Sequence, residues 1–305
     1  MKFYSGNLTQ VKMLGGETGI WMGLGASGHA PVLCCLALRF QVVDQLSNLS
    51  NHKLGRFLNR ILRHSRLSRA EIDALLSVRT TAVQYRPRID VVAPGQTVDH
   101  ACLVWRGIAG RFDQMRDGRR QISALHIPGD MCDLLSVVQP RASWSITALT
   151  QTTILQIPHT DLRDIAMRYP NIAMAFWRDT TLDSAVLNKW IGNLGRKDAQ
   201  SRLAHLFCEM GLRFELAQLG TRTHYAFGLT QEQLADAAGL TSVHVNRTLQ
   251  RLRETGAISV QTSFVEIHDW CQLSRIAQFE PEYLWPTTSG SEQRRFLPNS
   301  MAISA

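Results

Sequence analysis

The side chains best equipped for chemistry in this chain lie between Leu229 and Ile258, in LTQEQLADAAGLTSVHVNRTLQRLRETGAI. Ser242, His244 and Asn246 carry hydrogen-bonding groups, Arg247, Arg251 and Arg253 carry fixed positive charge, and Val243 offers a methyl surface. That set suits recognition, not bond making: a guanidinium fork matches guanine O6 and N7, and an apolar tip matches a thymine methyl. The spacing places it on a helix. Val245, Leu249 and Leu252 recur every three or four residues as a core-facing stripe, Thr241 stands at the N-cap and Gly256 at the C-cap. A shorter helix precedes it, with Thr230 and Gln233 at capping-box spacing and an apolar face of Leu234, Ala237 and Ala238. Gly239 turns the chain between the two, where a residue without Cβ avoids a steric penalty, and Ala235 lets the helices cross closely. The pattern implies a helix-turn-helix whose second helix enters the major groove of DNA. Arg247 is expected to read a base, with Ser242, His244, Asn246 and Val243 assisting from a helix that begins at Thr241. Thr230, Gln231 and Arg251 are expected to hold phosphates, which position a protein without specifying sequence.

No competing chemistry is assembled elsewhere. His126 and Asp130 lie near Cys132, so a thiol–imidazole site can be drawn, but no nucleophile elbow, phosphate-binding glycine loop or metal-spaced cluster accompanies them. The six cysteines, Cys34, Cys35, Cys102, Cys132, Cys208 and Cys271, form no C-x-x-C pair, which argues against a zinc ribbon. Buried reduced thiols in a cytoplasmic protein are expected, since a free Cys packs as a small hydrophobe. No metal or cofactor is assigned. Lys and Arg outnumber Asp and Glu, 33 to 25, for a formal net charge of +8, a surplus that suits a polyanionic partner.

Several elements must position the helix pair. Residues 1–50 are read as a loosely ordered extension. Its apolar run Pro31 to Leu38 is too short to span a bilayer and lacks a signal-peptide cleavage pattern, so no membrane association is expected. From Lys53 to Leu76 the period is helical: Leu54, Phe57, Leu58, Ile61, Leu62 and Leu67 form one face, Arg56, Arg60 and Arg63 read as a solvated one, and Ser68 with Glu71 marks a second helix start.

Between Val78 and Pro158 the period changes to two. Thr81 to Tyr85, Ile89 to Ala93, Ala101 to Trp105, Ile108 to Met115, Gln121 to Ile127, Trp144 to Ala148 and Thr152 to Ile157 read as strands. Asp117-Gly118 marks a hairpin, and many short strands at this spacing suggest a sandwich or jelly roll. A short helix from Leu162 to Tyr169 follows, then a long one from about Asn171 to Asn193, ended by Gly195. Leu182, Ala185 and Val186 lie on one stripe of it, and Leu187, Trp190, Ile191 and Leu194 on another. A helix apolar on two sides needs two partners, and the second is expected to be its twin across a two-fold axis. Asp198 caps the next helix, Ile258 to Ile267 reads as a two-stranded wing, and residues beyond about Trp285 read as a mobile tail.

Roll, long helix and winged helix-turn-helix, in that order, resemble the bacterial CRP/FNR family of transcription regulators over roughly residues 55–285. The specific pieces are Pro128-Gly129-Asp130 in the roll, Asn193-Leu194-Gly195-Arg196 at the hinge, and Leu240 to Leu249, LTSVHVNRTL, which looks like a branch with a His-Val-Asn-Arg recognition helix. The resemblance implies an α+β fold: extension 1–50, β-roll sensor 51–170, dimerisation helix 171–195, winged helix-turn-helix 196–272, and C-terminal helix with tail 273–305. It also implies a homodimer on a near-palindromic site in double-stranded DNA, an effector sensed in the roll, RNA polymerase as a further partner, and a cytoplasmic location.

Two departures refine that picture. Cyclic-nucleotide binders of the family carry Gly-Glu-Leu after the Pro-Gly-like turn, for the ribose, and an Arg-Ser pair some ten residues later, for the phosphate. Here the segments read Cys132-Asp133-Leu134 and Arg141-Ala142-Ser143. The effector pocket is therefore expected around Cys132, Asp133, Arg141 and Ser143, with a shorter carboxylate and a displaced guanidinium that pair poorly with cyclic AMP. Members that hold an iron–sulfur cluster use clustered N-terminal cysteines, a spacing Cys34-Cys35 does not match. In the reading helix, Ser242 and Val243 stand where G-rich readers often carry Arg and Glu, so the operator is expected to differ from the best-known consensus sites. The alternative is a small-molecule or redox sensor that acts through protein contacts, motivated by Cys132 and Asp133.

Overall fold

The computed structural model describes residues 52–285. The expected N-terminal extension, with Cys34 and Cys35, and the expected tail beyond Trp285 lie outside the described residues. Two short helices open the described chain, α1 (Gly55–Leu62) and α2 (Arg69–Leu76). Leu54, Phe57, Leu58 and Ile61 bury the inner face of the first. Ser68 starts the second with a complete capping box: Glu71 N donates to Ser68 Oγ (3.4 Å) and Ser68 N to Glu71 Oε2 (2.6 Å).

The seven strands expected from the alternating pattern all form, each within a residue or two: β1 (Thr81–Tyr85), β2 (Asp90–Val92), β3 (His100–Arg106), β4 (Ala109–Gln114), β5 (Arg120–His126), β6 (Ser145–Ala148) and β7 (Thr152–Pro158). They make two antiparallel sheets, β1-β7-β3 and β2-β6-β4-β5. The Asp117-Gly118 hairpin closes through Met115 N to Arg119 O (2.8 Å) and Gly118 N to Met115 O (3.0 Å). Val91, Val98, Cys102, Val104, Ala109, Cys132, Ile146 and Ile154 fill the roll, while Leu103, Leu155 and Ile157 join a second apolar cluster with α1 and α2. The Pro128-Gly129 turn is built against α1: Gly129 has φ +102°, and a Cβ there would sit 2.8 Å from Cβ of Arg56, so both backbone and space select glycine.

Helix α3 (His159–Arg168) leads to the long helix α4 (Pro170–Arg196), with proline at its first position. The expected stop at Gly195 is not used: the helix runs through it to Arg196 and the next begins after Asp198, whose carboxylate accepts from Ser201 N (2.8 Å). The two expected apolar stripes also need correction. Leu182 and Trp190, assigned to different stripes, are both buried against this chain. Trp190 Nε1 donates to Glu209 Oε2 at 3.0 Å. The outward positions include Met174, Trp177, Thr181, Ser184, Asn188 and Ile191.

Helix α5 (Ala199–Leu216) is the buried spine of the C-terminal half. It is followed in the chain by β8 (Gly220–Thr221), β9 (His224–Ala226), α6 (Gln231–Ala238), α7 (Ser242–Glu254), β10 (Ile258–Val260), β11 (Phe264–Ile267) and α8 (Trp270–Ala277). The expected two-stranded wing is part of a four-stranded sheet, β10-β11-β9-β8; β8 and β9 are too short to show an alternating pattern. Asp269 caps α8, whose Leu273 and Ala277 belong to the same core as α5. That core is continuous with the roll: Phe112, Ile122, Leu125 and Leu149 pack in one cluster with Leu234, Ala237, Ala238 and Val245.

The arginine run of α1 is not a solvated face. Arg60 is largely buried and touches three carboxylates, Asp179 (2.5 Å), Asp130 (2.7 Å) and Asp183 (3.3 Å). An isolated charge inside a protein is costly, so a buried cluster of this kind depends on every partner being present. Replacing Arg60 with Met leaves Asp130, Asp179 and Asp183 without that partner. The expected loss is about 3–5 kcal/mol of unfolding free energy, measured by urea denaturation of the full chain, with Arg60→Lys recovering only part because an ammonium has no planar fork.

Candidate nucleic-acid interface and the region around Asp130

Local caps set the helix-turn-helix geometry. Thr230 N donates to Gln233 Oε1 (2.8 Å) and Gln233 N to Thr230 Oγ1 (3.2 Å), the reciprocal pair expected from the spacing. Gly239 adopts φ +61° as the C-cap of α6, and Arg202 Nη1 donates to Ala238 O (2.5 Å) at that helix end. Thr241 Oγ1 then accepts from His244 N (3.2 Å) to start α7. Val245, Leu249 and Leu252 are buried as expected, and Thr248 joins them by donating its hydroxyl to His244 O (2.8 Å).

The opposite face of α7 gathers the expected contact residues. Thr241, Ser242, Val243, His244, Asn246, Arg247 and Arg251 are all exposed, and Thr241, Val243, His244, Arg247 and Arg251 line one surface hollow. Val243 is 64% exposed, an apolar side chain held in solvent at the start of the helix. Thr230 and Gln231 are exposed at the start of α6. Arg253 differs: its Nη2 donates to Val260 O (2.7 Å), tying α7 to the wing strand β10.

Helix α6 is pinned to the roll by polar contacts as well as by the shared core. Gln233 Nε2 donates to Leu149 O and Gln121 Nε2 to Asp236 O, both at 2.8 Å, and Arg88 pairs with Glu232. Gln233 therefore serves both as the cap of α6 and as its anchor on the roll.

The four residues expected to line an effector pocket have different environments. Cys132 and Asp133 are buried. Asp133 Oδ1 accepts from Cys102 N (2.6 Å), and burial pushes its carboxyl up to about 6. Burial likewise holds the Cys132 thiol well above its ordinary range, which keeps it protonated. Arg141 and Ser143 are exposed while Ala142 between them points inward, because this stretch pairs as extended chain with Gln96 and Thr97. Two of the four are thus buried and two face solvent, with Ala142 packed in the same cluster as Cys132.

A buried ionic cluster stands instead around Asp130. Asp130 Oδ2 accepts from Ile127 N (2.9 Å) and Arg213 Nη2 (2.7 Å), and Oδ1 from Arg60 Nη1 (2.7 Å). Burial alone would raise its pKa, but Arg60 and Arg213 hold it down at about 2. Arg213 also donates to Leu125 O (2.7 Å) and Glu209 (3.2 Å), and Glu209 accepts from Tyr283 OH (2.6 Å). Elements from α1, the roll, α4 and α5 meet here. Only Asp130 of this cluster stood in a recognised motif. Asp179 carried an available signal: it falls on the buried stripe Ile172, Ala175, Phe176, Leu182 of α4, where an acid in an apolar row demands a partner.

Comparison with known proteins agrees with this architecture. Residues 82–169 match the cyclic nucleotide-binding domain family, and residues 201–276 the Crp-like helix-turn-helix domain family. The nitrogen fixation regulation protein FixK of Azorhizobium caulinodans is 27% identical over 174 residues, 57% of this chain and 69% of that one. The transcriptional activator protein FnrL of Cereibacter sphaeroides is 25% identical over 180 residues, 58% of this chain and 72% of that one. Among solved structures, FixK2 from Bradyrhizobium japonicum superposes with a TM-score of 0.59 at 23% identity, covering 65% of this chain and 98% of its own, which supports the fold. With a roll, a long helix and a capped helix-turn-helix that presents an exposed basic face, the chain is a DNA-binding transcription regulator of the CRP/FNR type.

Proposed function

We propose that the protein acts as a homodimer that reads a near-palindromic promoter site through α7 and answers to an effector sensed by the roll, with RNA polymerase as its further partner in a cytoplasmic setting. The observation that carries the reading is the row Thr241, Val243, His244, Arg247 and Arg251 around one exposed hollow of a helix whose other face is fully packed. In this reading Arg247 bonds a guanine, Ser242, His244 and Asn246 add hydrogen bonds, and Val243 meets a thymine methyl. Thr230, Gln231 and Arg251 bond phosphates. The boundaries that go with it are sensor 51–170, dimer helix 171–195 and DNA-binding domain 196–272, with α8 packing onto the last.

The dimer reading rests on α4. Among its exposed residues, Met174, Trp177, Thr181, Ser184, Asn188 and Ile191 are spaced three and four residues apart in alternation, the spacing of a two-stranded coiled-coil seam. Trp177 is 69% exposed and Ile191 59%, at opposite ends of that seam. Cyclic AMP is a poor fit for the roll, because Asp133 is already engaged by Cys102 N and Arg141 faces solvent.

Arg247→Ala is expected to cost about 1–3 kcal/mol of discrimination at one base position, seen as a relaxed site set in genomic footprinting; an unchanged set removes Arg247 from base reading. Arg251→Ala should weaken every duplex alike and flatten the plot of log affinity against log salt by about one unit, read by fluorescence anisotropy. Trp177→Glu with Ile191→Glu places charge on both ends of the α4 seam. Sedimentation of that double variant is expected to show monomers where the parent sediments as a dimer.

A further inference from the structure

Seven buried side-chain polar atoms among the described residues have no hydrogen-bond partner, and four of them line one cavity: Asn59 Oδ1, His126 Nδ1, His126 Nε2 and Trp285 Nε1. Native proteins seldom leave such groups unpaired, and a cluster of them marks a missing ligand or water. The cavity, of about 70 Å³, lies beside Asp130 between α1, β5, α4, α5 and the segment that ends at Trp285. A void needs about 10–15 Å³ of such space to hold one water, so this one accepts several waters or one small ion. It falls well short of the roughly 300–1,000 Å³ of sites for drug-sized ligands.

Its charge is unbalanced. Five arginines, Arg56, Arg60, Arg63, Arg111 and Arg213, line it against two aspartates, Asp130 and Asp183. Arg60 and Arg213 are engaged by Asp130, and Arg60 also by Asp179 and Asp183. Arg63 has no ion pair among the described residues, and burial together with the adjacent Arg60 lowers its pKa to about 10. His64 is pulled down to about 4 by burial and by Arg60, Arg63 and Arg178, which keeps it neutral. Arg111 meets Asp183 only at 3.9 Å. With Asp179 and Glu209 counted against Arg60 and Arg213, five guanidiniums still face only four carboxylates, a surplus of one positive charge around a void lined by unpaired polar atoms. A tautomer of His126 supplies one N–H, Trp285 another, and turning the Asn59 amide over presents its NH₂ instead of the oxygen.

We propose that this cavity binds a small oxyanion, a phosphate- or carboxylate-sized group held by Arg63, His126, Asn59 and Trp285. The site rests on the effector-responsive reading given above and supplies that reading with a ligand class and a place. It lies where α1, the roll, the long helix and α5 of the DNA-binding domain share one cluster of charges, so an added anion competes with Asp130 for Arg60 and Arg213.

The test is calorimetry of the full chain without DNA, titrated with inorganic phosphate and, in a second arm, with acetate, each against chloride at matched ionic strength. Saturable binding of either probe is expected, and the arm that responds identifies the headgroup. Arg63→Gln should weaken it about tenfold or more, the worth of one charge-assisted hydrogen bond. Trp285→Phe, which removes only the N–H donor and serves if Arg63→Gln fails to fold, should weaken it severalfold. Absence of saturable binding in both arms overturns the proposal, as does binding that neither substitution reduces. Duplex affinity measured with and without phosphate is a separate readout: a chain that binds the anion but no DNA keeps this site and refutes the regulatory reading.

Discussion

The Asp130 carboxylate is the contact on which the arrangement of the described chain depends. It emerges from the Pro128-Gly129 turn of the roll and divides its two oxygens between Arg60 of α1 and Arg213 of α5. Each arginine then reaches onward, Arg60 to Asp179 and Asp183 of the long helix and Arg213 to Glu209. Charges removed from water recover their solvation only from well-aligned partners, so the cluster tolerates few relative positions of these elements. It acts as a register mark among four elements whose apolar contacts alone are less directional.

The DNA-binding half has a different kind of anchor. Its core runs without a break into the outer side of the β2-β6-β4-β5 sheet through Phe112, Ile122 and Leu149. Two glutamine amides, Gln121 and Gln233, fasten α6 to that sheet across main-chain carbonyls. Helix α7 joins this footing mainly through its packing on α5 and α6 and through Arg253 on the wing. Its exposed face is thus presented by a rigid base, while the base is joined to the roll by contacts that a shift of β5 would have to break. The roll and the presentation of α7 are mechanically linked by those contacts, and buried packed interfaces pass on discrete rearrangements better than gradual ones.

The long helix mediates between these parts. Its inner face carries Ile172, Phe176, Leu182 and Trp190 into the chain's own cores, and inserts Asp179 among them. Its outer face keeps Trp177 and Ile191 in solvent. The helix therefore commits one side to this chain and leaves a heptad-spaced side available, an arrangement that only the folded neighbours of α4 distinguish from the two stripes read along its sequence.

Local signals in the sequence were enough for the seven strands of the roll, the Asp117-Gly118 hairpin, the caps at Ser68, Thr230, Thr241 and Asp198, and the buried and exposed faces of α7. Each depends on residues within one turn or one strand, where backbone geometry and side-chain period act directly. The destination of Arg60 was not legible, because a lone arginine beside an apolar stripe reads as solvent-facing until carboxylates 70 and 119 residues away are placed against it. The same holds for the burial of Cys132 and Asp133 against the exposure of Arg141 and Ser143, for β8 and β9, and for the continuation of α4 through Gly195. Composition and period settle what a segment is. Which buried charges meet, and which face of a long helix remains open, is decided only when distant elements compete for the same space and the same partners.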